Sequence, residues 1–529
     1  MTVFIVFVYL VIVAWLGYMG YRRTQGASDY LVAGRQIHPY VMALSYGATF
    51  ISTSAIVGFG GAASVFGMGI LWLTFLNIFV GIFIAFVFFG KRTRVMGYHM
   101  QAHTFPEFLA KRFDSPFIQK FAGLIIFLFM PLYAGVVLIG AARFLEAQLS
   151  VDYTTALFFF ALIIAVYVIM GGLKGVMYTD AFQGTLMFVG MFVLLIYTYS
   201  NLGGVIEAHS ALTAMKGSVP EKLVAAGHQG WTAMPTCGSP YWWVLVSTIV
   251  MGVGIGVLAQ PQLVVRFMTV RSGRELNRAI VVGGIFILMM TGVAFITGAL
   301  SNVYFAQTAG KISIAAAGGD PDKVIPLYIT QALPGWFGIL FMLTLLAAAM
   351  STLSSQFHAM GTAIGRDFYQ QLLENKEEAD QRSVFISKMG IGITILVSLL
   401  LAYVLPKIYT QGEAIIARGT AIFFGLCAAA FLPAYLAGLY WRGATRAGAV
   451  TGMVGGFAAS ALWILFVHAK ESSVLGLCQA LFGKPALFGP TWQVVDPMIV
   501  ALPISAILTI LVSIKTEPFT EEHLKRCYR

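Results

Sequence analysis

Long apolar stretches dominate this chain of 529 residues. A membrane-spanning helix needs about 20 mostly apolar residues. About thirteen stretches meet that length, at roughly 2–20, 38–62, 69–90, 117–145, 153–171, 181–202, 242–265, 279–304, 336–364, 384–405, 413–440, 447–468 and 493–514. Only 10% of the residues are charged, against about 25% in soluble domains. The sequence therefore predicts an all-α, multi-pass membrane protein, and it excludes a soluble enzyme.

The net charge of +11 is explained by membrane topology and does not require an acidic partner. Most of the 33 Lys and Arg residues fall in alternate connections, on the side of the C-terminal tail, and basic residues accumulate on the cytoplasmic side of membranes. This bias predicts the N-terminus outside and the C-terminus inside, with no nucleic acid as partner. Arg22 and Arg23 follow the first stretch instead of preceding it, so we expect a retained span and no cleaved signal peptide. We expect a plasma membrane location, in a bacterial or archaeal inner membrane.

The acidic residues restrict the ion chemistry of the predicted bundle. All Asp and Glu residues fall in connections or at span ends, whereas a carboxylate in mid-membrane normally marks a proton relay or an ion path. A cation bound inside must then use carbonyl and hydroxyl oxygens, which hard cations accept. Thiolate ligation is not expected, because the four cysteines show no metal-ligand spacing. A disulfide between Cys237 and Cys478, both in predicted external loops, is left open.

Two spans contain unusual densities of small and polar residues. Residues 43–61 read ALSYGATFISTSAIVGFGG, and residues 251–262 read MGVGIGVLAQPQ. Glycines in one span can simply permit close helix packing. These spans are the second and the seventh, however, and counted from the second they begin successive sets of five. Inverted-repeat transporters place their broken helices and binding sites at such positions, which favours a function for the pair.

A third span adds a cluster of hydroxyl groups. Residues 346–356 read LAAAMSTLSSQ. Ser351, Ser354 and Ser355 share one helix face, because they are spaced i, i+3 and i+4, whereas Thr352 lies about 100° away around the helix. An isolated Ser or Thr usually bonds its own i−4 carbonyl. Four hydroxyls within five positions favour a binding role.

The order and spacing of several motifs then resemble the sodium:solute symporter family, which includes sodium-coupled transporters of proline, pantothenate, sialic acid and glucose. The resemblance covers about residues 20 to 370. It rests on SDYLVAGRQ (28–36), the ALSYGAT…S segment, GAARFLEAQLSVDY (140–153), MGGLKGVMYTDAFQG (170–184), AQPQLVVRFM (259–268) and AAAMSTLSSQ (347–356).

The resemblance implies a bundle of about thirteen helices with a five-plus-five inverted repeat of the leucine-transporter type. It divides the chain into an extra N-terminal helix with a cytoplasmic loop (1–37), a first repeat (38–202) and an external loop (203–241). A second repeat (242–440) follows. The segment 441–529 would hold two additional helices and a cytoplasmic tail.

The resemblance also implies two sodium sites. The family's principal site falls on the carbonyls of Ala48, Ile51 and Ala348 and the hydroxyls of Ser351 and Thr352. In the sialic-acid branch a second sodium is held nearer the cytoplasm, and the matching residues are Asp180, Ser351, Ser354 and Ser355. Asp180 has an alternative role as a helix N-cap, since it precedes an apolar run, and the two roles can coexist.

Departures from the family pattern bear on the solute. Phe50 stands where many proline-type members have an aspartate, and Val253 and Val257 align with their tryptophan and tyrosine. These replacements favour a small, relatively apolar solute over proline. An arginine pairs well with a carboxylate, and Arg143 has Glu146 as a local partner, which favours a structural role there. The expected substrate contacts are Thr49, Phe50, Gln260, Gln262 and Arg418.

The sequence thus predicts a sodium-coupled symporter and not an enzyme. Na⁺ would be the coupling ion, and the partners would be the lipid bilayer and a small organic solute. The solute is expected to bear a carboxylate, as a monocarboxylate, a pantothenate-like compound or an amino acid. A proton-coupled carrier of the same fold is the main alternative; a transporter-like sensor or a channel is less favoured.

Overall fold

The computed structural model describes residues 2–22, 27–372, 376–409 and 414–528, and within these ranges every regular element is helical. Arg23 lies outside the described residues, as do the side chains of 166–172. Up to residue 201 the helices are α1 Thr2–Arg22, α2 Ala27–Val32, α3 Pro39–Phe50, α4 Phe59–Phe66, α5 Leu71–Ile78, α6 Lys91–His99, α7 Phe105–Arg112, α8 Pro116–Leu149 and α9 Tyr153–Asn201.

The middle of the chain forms α10 Val205–Ala214, α11 Glu221–Ala225, α12 Pro240–Trp243, α13 Val253–Gly256, α14 Pro261–Phe267, α15 Gly273–Ile287, α16 Val293–Ala309, α17 Ser313–Ala316, α18 Val324–Ala332 and α19 Gly335–Thr362. The rest forms α20 Lys376–Ile408, α21 Ile415–Tyr440, α22 Arg446–Phe466, α23 Ala469–Leu475, α24 Leu477–Phe482, α25 Pro497–Lys515 and α26 Glu521–Tyr528. Several α-helices continue into one another through π-helical segments, as α15 continues into α16 through Leu288–Gly292.

Many helices of this bundle are long and apolar enough to cross a membrane. In the described part of the chain ten helical segments meet that criterion, and Phe4–Gly20 and Tyr153–Ala165 are shorter apolar helices. The prediction of an all-α, multi-pass membrane protein is therefore confirmed. One expectation was wrong: the spans predicted at 153–171 and 181–202 form the single continuous helix α9. Because no proline interrupts this stretch, its ladder of backbone hydrogen bonds can continue.

The helix α3 ends within the second predicted span. Ile51, which follows its last residue, is extended (φ −93°, ψ 101°), although its N–H still donates to the Gly47 carbonyl at 2.8 Å. Ser52 Oγ then accepts a hydrogen bond from the Ser54 N–H at 3.0 Å, a local bond that competes with helix formation. The chain resumes as the π-helix Ser54–Gly58 and α4. The last carbonyls of α3 are thus left without a following helical turn.

The seventh predicted span breaks as well. Gln260 is extended (ψ 116°) between a short 3₁₀ turn and α14, and the following Pro261 disfavours a helical conformation at that residue. Just before the break, Gly256 packs against α21, and a Cβ on it would lie 2.5 Å from the Phe424 carbonyl oxygen. This close approach requires a glycine. Both predicted breaks are therefore present.

The helix α19 lies at the centre of the bundle. It packs against α3, α8, α9 and α20, and its residues from Phe341 to Gly361 are almost all buried. Its packing places the hydroxyl cluster of α19 directly against the broken end of α3.

Near the C-terminus, the long helices α22 and α25 pack together against α21.

Candidate functional site

The site begins where α3 ends, because hydroxyl groups of α19 meet its last carbonyls. Ser351 Oγ donates to the Ala48 carbonyl at 2.8 Å and lies 3.2 Å from the Ala348 carbonyl of its own helix. Thr352 Oγ1 donates to the carbonyls of Ala48 at 3.3 Å and Thr49 at 3.1 Å. The structure thus brings together four of the five residues predicted for the principal sodium site. The fifth, Ile51, lies at the break itself.

This cluster consists of oxygen atoms only, and it is buried. Ala48, Ala348, Ser351 and Thr352 each have a relative exposure of 0%. Carbonyl and hydroxyl oxygens are ligands for hard cations. The C-terminal end of α3 also points its partial negative charge at this place, which favours a cation there. The residues present are therefore suited to Na⁺.

A buried ion pair lies next to this cluster. Arg266 of α14 and Asp180 of α9 are almost completely buried, and Arg266 Nη2 donates to Asp180 Oδ2 at 2.9 Å. Arg266 follows the seventh predicted span and Asp180 lies between the fifth and the sixth, but the structure buries both inside the bundle. Two opposite charges can lie in this interior because each satisfies the other, whereas either alone would be costly.

Hydroxyl groups from two more helices surround the ion pair. Ser45 Oγ donates to Asp180 Oδ2 at 2.7 Å and accepts from Arg266 Nε at 3.0 Å. Arg266 Nη2 also donates to Thr49 Oγ1 and to Ser355 Oγ, both at 2.6 Å. The guanidinium therefore joins α3, α9, α14 and α19. Thr49, expected as a substrate contact, is a member of this charged network.

The residues predicted for a second sodium lie around this network. Ser355 contacts the guanidinium directly, while Ser354 Oγ donates to the Ser351 carbonyl at 3.1 Å. Asp180 Oδ1 is buried and has no hydrogen-bond partner among the described residues. The carboxylate thus has one oxygen engaged with Arg266 and one free to accept a ligand. The donor set present is suited to a cation beside the arginine.

The second break contributes two glutamine side chains. Gln260 Nε2 donates to the Gly256 carbonyl at 3.2 Å, which satisfies backbone freed by the break. Gln262 lines a narrow cavity of about 30 Å³, together with Arg266, Ser355 and residues of α7 such as Phe105. The cavity thus lies between the charged network and α7.

Arg418 lies apart from the other expected substrate contacts. It is paired with Glu471 of α23 and lines a separate apolar cavity of about 530 Å³. Burial raises the pKa of Glu471, but the Arg418 charge and a hydrogen bond with His468 outweigh it and hold that pKa at about 2. Arg418 is therefore neutralised by an acid 53 positions away. Arg143, expected to be structural, bonds Glu146 at 3.0 Å and Asp320 at 3.4 Å.

A small cavity of about 20 Å³ opens directly at the break of α3. Phe50 lines it and stacks on Phe424 of α21 with ring centroids 6.3 Å apart. Sequence reasoning missed its other walls, among them Asn77 of α5 and Tyr133 of α8. The polar Asn77 within a largely apolar span was the sequence signal for this cavity. Arg266 carried a similar signal, as a lone basic residue just after a broken helix.

Two facing broken helices with oxygen ligands at the break define a class of protein, the inverted-repeat secondary transporters. The family model of the sodium:solute symporter family matches residues 30–456. The chain belongs to this family, and it is a membrane transporter and not an enzyme.

Comparisons with known proteins agree with this assignment. The chain is 28% identical over 499 residues to the sodium/proline symporters of two Staphylococcus aureus strains, bovine RF122 / ET3-1 and NCTC 8325 / PS 47. These alignments cover 91% of this chain and 90% of each relative. A solved Na⁺-coupled sialic acid symporter superposes with a TM-score of 0.74 at 18% identity, covering 98% of this chain and 99% of that one. The similarity confirms the fold predicted from the sequence.

The buried ion pair makes a prediction about stability. Replacing Arg266 with Gln, or Asp180 with Asn, leaves one uncompensated buried charge, and each single variant should lose about 3–5 kcal/mol of stability. The double variant R266Q/D180N should lose clearly less than the sum of the two, because no lone charge remains. Thermal melting of the detergent-purified protein measures these losses.

The matched control is the exposed pair of Arg442 and Glu521, whose nitrogen–oxygen distance is also 2.9 Å. Replacing Arg442 with Gln should change stability by at most about 1 kcal/mol. Strictly additive losses in R266Q/D180N would contradict the coupling of Arg266 to Asp180.

Proposed function

We propose that this protein imports a small, carboxylate-bearing organic solute together with Na⁺, by alternating access across the plasma membrane. The observation that carries the proposal is the contact of Ser351 and Thr352 with the freed carbonyls of Ala48 and Thr49. Membership of the sodium:solute symporter family and the bacterial relatives support the coupling ion and the location.

Sodium at the principal site would bind two helices at once and so link them. Its ligands come from α3, through Ala48 and Ile51, and from α19, through Ala348, Ser351 and Thr352. These helices belong to different repeats, 38–202 and 242–440. An ion held by both stabilises the state in which they are close, and its loss lets them separate. A ligand shifts such an equilibrium by its differential affinity for the two states.

The solute binds beside the ion, at the break of α3. Phe50 supplies an apolar wall where a further carboxylate would repel an anionic solute. Since Arg418 is engaged with Glu471, we assign the carboxylate to the sodium ion, hydroxyl groups and amide donors near the break. Gln260 and Gln262 remain candidates to contact the solute from the second break. The relatives are named for proline; Phe50, Val253 and Val257 support a different solute here.

A second sodium would bind at Asp180, Ser351, Ser354 and Ser355. We propose that it uses the free Asp180 Oδ1, while Oδ2 stays with Arg266. The positive charge of Arg266 then lowers the affinity of the Asp180 carboxylate for the sodium ion. The ion can therefore leave toward the cavity lined by Gln262. Two ions per cycle would couple the solute to the gradient more strongly than one.

The first prediction concerns sodium binding alone. In the purified protein, sodium at about 100 times its Kd should add about 2.7 kcal/mol of stability, seen as a rise in melting temperature. The double variant S351A/T352A should lose most of this rise, because two of the proposed ligands are gone. Potassium at the same ionic strength should give little of it.

Thr344→Ala is the control, since Thr344 is buried on the same helix and its hydroxyl, among the described residues, donates to the Leu340 carbonyl one turn earlier. It should keep the full sodium response. A full response in S351A/T352A would refute the principal site, and stabilisation by acid without sodium would favour the proton-coupled alternative.

The second prediction separates the two sodium sites. Ser354→Ala removes a proposed ligand of the second ion but leaves Arg266 and its contacts intact. The dependence of melting temperature on sodium concentration should become less cooperative, with a Hill coefficient that falls toward one, while stabilisation through the principal site persists. An unchanged sodium titration in S354A would refute the second sodium site.

A further inference from the structure

The cavity at the break of α3 contains polar groups that the protein itself does not satisfy. Ser54 and Asn77 both line it, and neither Ser54 Oγ nor Asn77 Oδ1 has a hydrogen-bond partner among the described residues. A buried polar atom without a partner is costly, and such atoms in a native structure call for an explanation. Ser54 and Asn77 line the cavity together with Ile51, the residue that the principal sodium site shares with it.

Other hydroxyl groups around the same cavity are satisfied. Thr291 Oγ1 donates to the Ile287 carbonyl at 2.9 Å, and Thr420 Oγ1 donates to the Ile416 carbonyl at 2.8 Å. Both bonds lie within the residue's own helix. Ser54 and Asn77 therefore differ from their neighbours in being open to a ligand, and together they offer one hydroxyl and one amide.

The walls of the cavity carry no formal charge, because none of the side chains that line it is Asp, Glu, Lys, Arg or His. A charged group of a solute would thus find only the proposed sodium ion as a counter-charge. One carboxylate satisfies this condition, whereas a second carboxylate or an ammonium group would be buried without a partner. Phe50 and Phe424 stack on each other at an interplanar angle of 25°, so they do not form an open aromatic cage for a cation.

We propose that the solute is a compact monocarboxylate with one additional uncharged polar group, a hydroxyl or a carbonyl, which Asn77 and Ser54 bind. The cavity of about 20 Å³ is large enough for about one water molecule, so it must widen as the helices separate before the solute enters. The apolar part of the solute then lies against Phe50 and Phe424. Asn77 is thereby the residue that determines specificity. Its amide accepts from a hydroxyl through Oδ1 or donates to a carbonyl through its NH₂ group. This inference rests on the proposed function and names the substrate class for that site.

A series of three-carbon acids tests the substrate class. Propionate, lactate, pyruvate, alanine and malonate have similar sizes but differ in the second group, which is apolar, hydroxyl, carbonyl, ammonium or carboxylate. With sodium present, lactate or pyruvate should bind the purified protein at least about tenfold more tightly than propionate, because a site built for a hydrogen bond is left unpaired by the analogue that lacks it. Alanine and malonate should bind more weakly than either.

Variants then assign the recognition to residues. Asn77→Ala should reduce the ratio of lactate to propionate affinity toward one, and the milder Ser54→Ala should lower it as well. Thr420→Val is the matched control, because its hydroxyl is already bonded within α21, and it should keep the ratio. A ratio unchanged in both N77A and S54A would overturn the role of these residues.

The outcome for the substrate class is separable from that for sodium coupling. Alanine bound as tightly as lactate, or no binding by any of the five acids, would overturn the substrate class. Either result with an intact sodium-induced rise in melting temperature would leave the sodium site standing. Loss of that rise in the unmodified protein would instead refute the coupling ion.

Discussion

A backbone carbonyl that loses its helical partner inside a membrane must find another, since the lipid offers none. The end of α3 at Phe50 creates this problem deep in the bundle, where water is excluded. The hydroxyl groups of Ser351 and Thr352 donate hydrogen bonds to these carbonyls. That contact joins α19 to α3 and brings together oxygen atoms that a cation can use. The proposed ion site is thus a consequence of how the helix break is stabilised.

The ion pair of Arg266 and Asp180 stabilises the same region by a different interaction. Its guanidinium contacts hydroxyl groups of α3 and α19 as well as the carboxylate of α9. A buried pair of this kind is weak evidence for stability, although removing one partner alone is costly because it leaves an uncompensated buried charge. The fixed positive charge also sets the electrostatic conditions under which a second cation can bind nearby. The contacts at the break and the ion-pair network therefore both join α3 to α19.

Sequence reasoning found the features that depend on local pattern. The spans follow from apolar length, the break at Gln260 follows from Pro261, and the hydroxyl cluster follows from the spacing of Ser351 and Ser354. Each of these signals lies within one short segment of the chain. The family resemblance also predicted that residues 43–61 and 346–356 contribute ligands to the same sodium site.

Features that join distant segments were missed. Arg266 and Asp180 are 86 positions apart, and a lone arginine near a span end is also typical of a cytoplasmic connection. Arg418 seemed available for an anion because its partner, Glu471, lies in a different element. Asn77 was visible as a polar residue in an apolar span, but the direction of its side chain depends on how α5 packs. Tertiary packing decided each of these cases.

We propose that sodium binds between the end of α3 and the hydroxyl groups of α19. Cryo-electron microscopy of the protein prepared in sodium chloride, and separately in potassium chloride, would reveal the ion. In sodium we expect density for an ion within coordination distance of the carbonyls of Ala48, Ile51 and Ala348 and the hydroxyls of Ser351 and Thr352, with no such density in potassium. A well-resolved map in saturating sodium without an ion at this position would contradict the claim.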